Sequence, residues 1–473
     1  MIKILKRLKY IIAFFILVTI TFSAYTPSYA ATASVIFDGS LLKFDVNPIF
    51  KNNRIFVPFR VLSEKIGANV EWDGKERKVI AVNSEKTVEL KLKSKVALIN
   101  NKPYNLDVSP ILYQGRVLVP LRFYAEAFGA MVNWDEKNRT VNIISKQKVL
   151  KHVLGYYYSY SFQDFVSNAD KLTSVAVKWY TLDDNANLTN YDKKRFIMTP
   201  QDYKEVFRIA REKGIYVYAL VFESDRQKLT KALATPDKRR EIVESIVYEV
   251  QKEGYDGVNL DFEYLSPSDK DNFNEFVKSL YFALKEKNKT LNLSLPVKTE
   301  ERDWWPGYDY ETLGKYSDFV VLMAYDKNPA NPEPQAGVDW VEKILDYTLK
   351  RIPPEKVVLG IGYYGYAWAN GKKYTVLPSR AGFNYTGILY VDELQEKYGL
   401  KFKIDEKSLM ANGIFTDENN VTYQIWMESD LAVKNKVIYA VSKGLKGIAV
   451  WRLGYTTEGF WNAVGEKIVP LKK

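Results

Sequence analysis

From about residue 149 onward, short apolar runs take turns with longer amphipathic stretches. The runs are rich in Val, Ile, Leu and Tyr and lie near 152–158, 174–181, 215–222, 257–263, 291–297, 319–325, 357–363 and 447–451. Runs this short and this apolar predict strands of a sheet covered on both faces. Between them apolar residues recur every three to four positions, as at Phe273, Phe276, Val277, Leu280, Tyr281 and Leu284. That spacing predicts helices, and Ser268 stands where a cap for this one is expected. Strands alternating with helices indicate an α/β fold with a parallel sheet. Eight of them over 149–470 fit a closed (β/α)8 TIM barrel. The chain has residues to spare between the seventh and eighth strands, so a small α+β insertion is expected at about 366–428. An open doubly wound sheet is the alternative, although no Gly-rich dinucleotide loop supports it.

A different pattern fills residues 31–145. Residues 45–82 recur as 107–144 at an offset of 62, with 17 identities in 38 positions and no gaps. Asp45, Arg54, Pro58, Arg60, Trp72 and Asp73 return as Asp107, Arg116, Pro120, Arg122, Trp134 and Asp135. Each unit, about 40–82 and 102–144, reads as strand, short helix and hairpin, so a small repeated α+β domain is expected to precede the barrel. The linker Ser145-Lys146-Gln147-Lys148 is short.

The first 30 residues read as an export signal: Lys3, Lys6, Arg7 and Lys9, then an apolar run from Tyr10 to Ala24, then the small-x-small site Ser28-Tyr29-Ala30. Cleavage there, or retention as an anchor, are both open. A secreted protein is expected. Without the four cationic residues of the signal, the net charge of +11 falls to +7, a mild excess that suits an anionic wall, and the absence of a compact Lys/Arg block argues against nucleic acid.

Composition narrows the chemistry. There is no Cys and a single His, His152. Disulfides, thiolate catalysis, Ser-His-Asp hydrolysis and His-rich zinc sites are excluded. No metal and no cofactor are expected. Acid–base chemistry falls to carboxylates and Tyr.

The run Gly254-Tyr255-Asp256-Gly257-Val258-Asn259-Leu260-Asp261-Phe262-Glu263 carries the clearest chemical signal. Alternation on a strand points Asn259, Asp261 and Glu263 to one face and Val258, Leu260 and Phe262 to the other. Two neighbouring carboxylates repel, which favours keeping one of them protonated. Barrel enzymes place their sites at the C-terminal strand ends. Glu263, Tyr325-Asp326 and Trp451 each close a predicted strand, so topology gathers them over one mouth. Asp256, at the strand start, reads as structural, and His152 reads as a strand-start residue.

This run resembles the Asp-Gly-x-Asp-x-Asp-x-Glu signature of glycoside hydrolase family 18, the chitinase-type family, with Asn259 in place of the middle Asp. Met323-Ala324-Tyr325-Asp326, Gly360 to Gly365, and Gly447 to Trp451 with Leu453-Gly454 resemble further strand ends of that family. The glycine-rich third-strand motif of many chitinases is replaced by Ala219-Leu220-Val221-Phe222-Glu223. The run looks most like the bacterial branch of spore-cortex and cell-wall N-acetylglucosaminidases. The resemblance implies substrate-assisted retaining cleavage of β-1,4 linkages next to N-acetylglucosamine. In that scheme Glu263 is the general acid, Asp261 steadies the substrate acetamide and Tyr325 hydrogen-bonds its oxygen. Asp326 binds a sugar hydroxyl, Trp451 floors the site, and Asn259 supports Asp261 by donating to it. Trp368 and Trp426, flanking the insertion, are candidates for outer sugar contacts. The 31–145 repeats resemble the copper amine oxidase N-terminal-like, or stalk, domain. With no Cys or His in that segment, no copper is expected there, and wall attachment or spacing is the expected role. The expected partner is peptidoglycan or a chitin-type polysaccharide, met by a monomer. A chitinase and a non-catalytic lectin are the alternatives.

Overall fold

The computed structural model describes residues 33–158, 160–190, 200–380 and 387–473. The expected export signal lies outside them. The chain divides into two compact units at Ser145 and Lys146.

The first unit is built on a local dyad. The hairpins Ile49–Lys51/Arg54–Pro58 and Ile111–Tyr113/Arg116–Pro120 meet edge to edge, antiparallel. Val57 pairs with Val119, Phe56 with Pro120 and Pro58 with Leu118, so equivalent positions cross on a pseudo-two-fold axis. Each Pro ends its strand and opens a short helix, Phe59–Ile66 or Leu121–Ala127. Gly67 and Gly129, at φ 77° and 87°, turn the chain out of those helices in the left-handed region that glycine tolerates best. Hairpins follow, Asn69–Asp73/Lys78–Val82 and Met131–Asp135/Thr140–Ile144. The expected repeat units are thus seen, but the sheets run past them. Thr87–Lys91, Val96–Ile99 and Lys102–Asn105 extend the first hairpin to five strands, so Lys102–Asn105 joins the first unit's sheet. Ser34–Phe37 pairs parallel with Thr140–Ile144. An exposed edge needs a partner, and each copy found a different one.

The second unit is the expected barrel. Its strands are β1 (Val149–Tyr157), β2 (Ser174–Leu182), β3 (Tyr216–Glu223), β4 (Gly257–Phe262), β5 (Thr290–Pro296), β6 (Phe319–Met323), β7 (Val357–Gly362) and β8 (Gly447–Trp451). All neighbours are parallel, and β1 pairs with both β2 and β8, which closes the sheet. Val258, Leu260 and Phe262 join the large core between strands and helices, as alternation requires. The helix Lys270–Glu286 buries Phe273, Phe276, Val277, Leu280 and Leu284. Ser268 does not cap it. A turn of 3-10 helix, Pro267–Asp269, intervenes and shifts the start onward. Glycine is demanded at the base of the barrel, where a Cβ on Gly447 would lie 1.8 Å from the His152 carbonyl oxygen.

Between β7 and the helix Asp430–Ser442 sits the insertion. Its described part is a six-stranded sheet with one helix, Val391–Tyr398. It is tied down at several points. Val338 N donates to Ser408 O at 3.0 Å, Glu428 N to Tyr364 O at 3.1 Å, and Ser429 Oγ to Leu409 O at 2.6 Å. Lys436 and Glu428 form an ion pair at 2.5 Å with both side chains fully buried.

Candidate active site

The mouth of the barrel is assembled from strand ends far apart in sequence. Glu263 follows β4 directly, and its N–H donates to Glu223 O at 2.8 Å, which anchors the backbone there. Asp261 and Asn259 lie beneath it, buried inside the barrel. Asn259 is set in a polar ladder. Its Nδ2 donates to Asn292 Oδ1, Ser294 Oγ donates to its Oδ1 at 3.0 Å, and the Tyr156 hydroxyl meets Ser294 Oγ at 2.8 Å. One donor of Asn259 thus goes to β5, whose Asn292 lies beside it in register.

The chain turns sharply after β6, with Ala324 N bonded to Leu322 O and Tyr325 N to Met323 O, both at 2.9 Å. Asp326 adopts φ 57°. The turn aims Tyr325 back over the mouth. Gly360 and Gly362 leave room for its ring: a Cβ on Gly362 would lie 2.7 Å from Tyr364 Cε1 and 3.0 Å from Tyr325 Cγ. Burial, then the charges of Asp261, Glu263 and Asp326 among its neighbours, holds the Tyr325 hydroxyl well above its ordinary pKa. It stays protonated and can donate.

Asp326 opens to the cleft while two hydroxyls grip one carboxylate oxygen, Tyr364 at 2.7 Å and Tyr366 at 3.0 Å. The protein packed around it raises its pKa, while those hydroxyls and Lys373 pull the other way. Glu263, Tyr325 and Asp326 share a cleft of about 760 Å³ with Trp305, Tyr366 and Lys373. Of the residues expected over the mouth, Glu263, Tyr325 and Asp326 line this cleft, and Trp451 is not among its lining residues.

The tryptophans divide. Trp451 ends β8 and packs on Tyr156, ring centroids 5.5 Å apart. Trp368 donates to Pro329 O at 3.2 Å and lies against Tyr366, bracing two residues that line the cleft. Trp426 sits on the insertion, opposite Tyr366 across the strand pair, and is not among the lining residues. Trp304 and Trp305 are, together with Arg302. Tyr364 and Tyr366 escaped the sequence reading. The signal was there, because two Tyr at alternate positions after a strand end face one way.

Other acids are structural. Glu223 is saturated by Thr181 Oγ1 and by the N–H groups of Leu182, Ser224 and Asp225. Asp256, at the opposite end of β4, accepts from Val217 N at 2.8 Å. His152 is buried against Ser174 Oγ at 2.8 Å, and burial pushes its pKa down to about 3.

A family model described as glycosyl hydrolases family 18 matches residues 152–455. The chain belongs to that family. Among curated proteins, it is similar to an uncharacterized glycosylase, YvbX, of Bacillus subtilis (strain 168), 27% identical over 54% of this chain and 76% of that one. It is also similar to a cortical fragment-lytic enzyme of the same organism, 26% identical over 50% of this chain and 55% of that one. The chain thus spans little more than half the length of that cortical enzyme. A solved chitinase from Chromobacterium violaceum ATCC 12472 is 26% identical, covering 67% of this chain and 98% of that one, with a TM-score of 0.59. Residues 36–143 match a model described as copper amine oxidase N-terminal domain. Copper favours imidazole or thiolate donors, and residues 33–145 contain neither His nor Cys. The unit's side chains do not fit that metal.

Proposed function

We propose that this chain is an exported glycosidase that cleaves β-1,4 bonds next to N-acetylglucosamine in peptidoglycan or spore cortex. The observation that carries the reading is the meeting of Glu263, Tyr325 and Asp326 in one cleft above buried Asp261. Two-carboxylate retaining hydrolysis needs its second carboxylate on the far face of the sugar. Asp261 stands two residues from Glu263 on the same strand and does not reach there. In this reading the nucleophile is the substrate's own acetamide oxygen, as the resemblance to the family implies. It bonds to the anomeric carbon as the glycosidic C–O bond breaks, and Glu263 gives its proton to the leaving oxygen. Asp261 steadies the acetamide N–H as positive charge grows, and the Tyr325 hydroxyl donates to the acetamide oxygen. Water then opens the cyclic intermediate and returns a proton to Glu263. Asp326, held by Tyr364 and Tyr366, binds a sugar hydroxyl, and Trp451 offers an apolar floor. Every step uses side chains, substrate and water.

Similarity to the cortical fragment-lytic enzyme supports a wall substrate. Similarity to the Chromobacterium chitinase over nearly all of its length favours chitin as the second reading. Residues 1–30 supply export, and the repeats supply wall association. No helix among the described residues is long and apolar enough to cross a membrane. Purified peptidoglycan and chitin digested in parallel, with products identified by mass, test the assignment. Muropeptides ending in reducing N-acetylglucosamine support it. Chito-oligomers alone move the substrate to chitin, and no product from either overturns it.

The glycine slot around Tyr325 gives a sharper test. Gly362→Ala is expected to push the Tyr325 ring aside and lower kcat by about 10–100-fold, since misplacement by an ångström costs this much. The melting temperature measured alongside separates this from unfolding. Unchanged kcat would mean that the placement of Tyr325 does not matter.

A further inference from the structure

The dyad of the first unit creates two matching clefts. One, about 580 Å³, is lined by Asp45, Arg60, Trp72, Arg77, Leu112 and Arg116 among others. The other, about 600 Å³, is lined by Asp107, Arg122, Trp134, Glu126, Phe50 and Arg54 among others. At the offset of 62, Asp45, Arg60, Trp72, Leu112 and Arg116 of the first correspond to Asp107, Arg122, Trp134, Phe50 and Arg54 of the second. Each cleft draws its Trp and its Asp from one repeat and the Arg that pairs with that Asp from the other. Arg54 bonds to Asp107 and Arg116 to Asp45, both at 2.6 Å. Neither cleft exists unless the repeats pair. Their volumes fall in the range of ligand sites.

What the two copies kept is informative. Several buried positions drifted within the apolar class: Phe56 became Leu118, Leu62 became Tyr124 and Ile66 became Phe128. Trp72 and Trp134 stayed identical although 38% and 39% exposed. Asp73 and Asp135 are explained by their turns, where they accept from Lys75 N and Glu76 N, and from Asn138 N. Packing gives no such reason for two half-exposed indoles or for exposed Arg60. The unit is also basic, with 17 Lys and Arg against 12 Asp and Glu over residues 33–145.

We propose that these clefts are two corresponding binding sites for an acidic saccharide, with the indole as platform and the guanidinium as carboxylate receptor. The C–H face of a pyranose stacks on an aromatic ring and leaves its hydroxyls free. The Arg–Asp pair beside it offers both donors and acceptors to those hydroxyls. Arg60 or Arg122 meets a carboxylate carried by the glycan or by a substituent attached to it, in the planar, two-pronged geometry guanidinium favours. The copies are not equal in strength. Arg77 joins Arg60 and Arg116 as a third cation in the first cleft, whereas Glu126 lies 3.7 Å from Arg122 in the second. The first cleft binds an anion more tightly. Two sites on one body also raise avidity for a polymer. The identity of the saccharide as a carboxylated wall glycan rests on the function proposed above; the clefts themselves do not.

The test uses the full chain carrying Glu263→Gln, so that the polymer is not consumed. Sedimentation with insoluble peptidoglycan gives the bound fraction, and neutral chitin serves as the contrasting polymer. Adding Trp72→Ala and Trp134→Ala together is expected to weaken peptidoglycan binding by about tenfold or more, as loss of interface tryptophans does. Trp72→Ala alone should cost more than Trp134→Ala alone. Arg60→Gln with Arg122→Gln, at exposed positions that spare the fold, should weaken peptidoglycan binding and leave any chitin binding unchanged. In the wild-type background, the Trp pair should leave turnover of a short soluble substrate intact. Unchanged sedimentation of the Trp pair overturns the sites. Loss with the Trp pair but not the Arg pair overturns the acidic specificity. Equal retention by single-stranded DNA, with the same dependence on Trp and Arg, overturns the saccharide. Wall hydrolysis is scored separately by mass, so a failed catalytic reading leaves this result standing on its own.

Discussion

Glu263→Gln is expected to lower kcat on wall glycan by about 10²–10⁴-fold, the usual worth of a general acid, while leaving substrate affinity close to its original value. The amide matches the carboxyl in shape but has no acidic proton to give the leaving oxygen. The backbone bond from residue 263 to Glu223 O is untouched, so the side chain keeps its position at the end of β4. Tyr325 and Asp326 still line the cleft. Single-turnover kinetics with calorimetric binding on the same oligosaccharide read both quantities. A fall in affinity with unchanged kcat would assign Glu263 to binding. No change in either would mean a lectin that never had turnover to lose.

The second large effect concerns stability. Lys436→Met is expected to destabilise the barrel by about 3–5 kcal/mol, the cost of breaking a buried ion pair from one side. Burial already raises the Glu428 pKa, and Lys436 is what opposes that rise. One Glu428 oxygen is held by Lys436, and the other has no hydrogen-bond partner among the described residues. Without the ammonium, the carboxyl remains in the interior with nothing to balance its charge. Its folded pKa then stands above the unfolded value. A carboxyl raised in this way favours the folded state at low pH and loses that favour as pH climbs through the folded pKa. The variant's deficit should thus be largest at neutral pH and shrink toward pH about 4, where the unfolded carboxyl also binds its proton. Denaturant titration across that range checks the slope. Glu428→Leu combined with Lys436→Met should recover most of the loss, because apolar replacement of both partners removes the stranded charge. A single variant as stable as the wild type at pH 7 would show that the pair is solvated.

Much of this molecule was legible before its coordinates. The barrel strands are apolar on both faces, and such runs stand out against amphipathic helices. Glu263, Tyr325 and Asp326 could be placed together because a closed parallel barrel brings its strand ends to one rim. The insertion announced itself as surplus length. What stayed hidden depends on neighbours that no local pattern names. Asn259 donates to Asn292 because β4 and β5 lie in register. Tyr364 and Tyr366 reach Asp326 from a different loop. Ser268 lost its capping role to a turn of 3-10 helix. The strands of residues 87–105 fell between the repeats, where the comparison of copies is blind.

The ties that hold the insertion bear on how a polymer enters and leaves. Its strands are fastened to the loop after β6 through Trp368 and Ser408, and to the barrel through Glu428 and through Tyr363, whose hydroxyl bonds Asp430 at 2.5 Å. A wall bolted at so many points does not swing. Many enzymes close a flap on the substrate and wait for it to reopen before product escapes. Here any widening of the aperture must first break those ties, so with them intact the cleft acts as a calliper that gauges the girth of what enters.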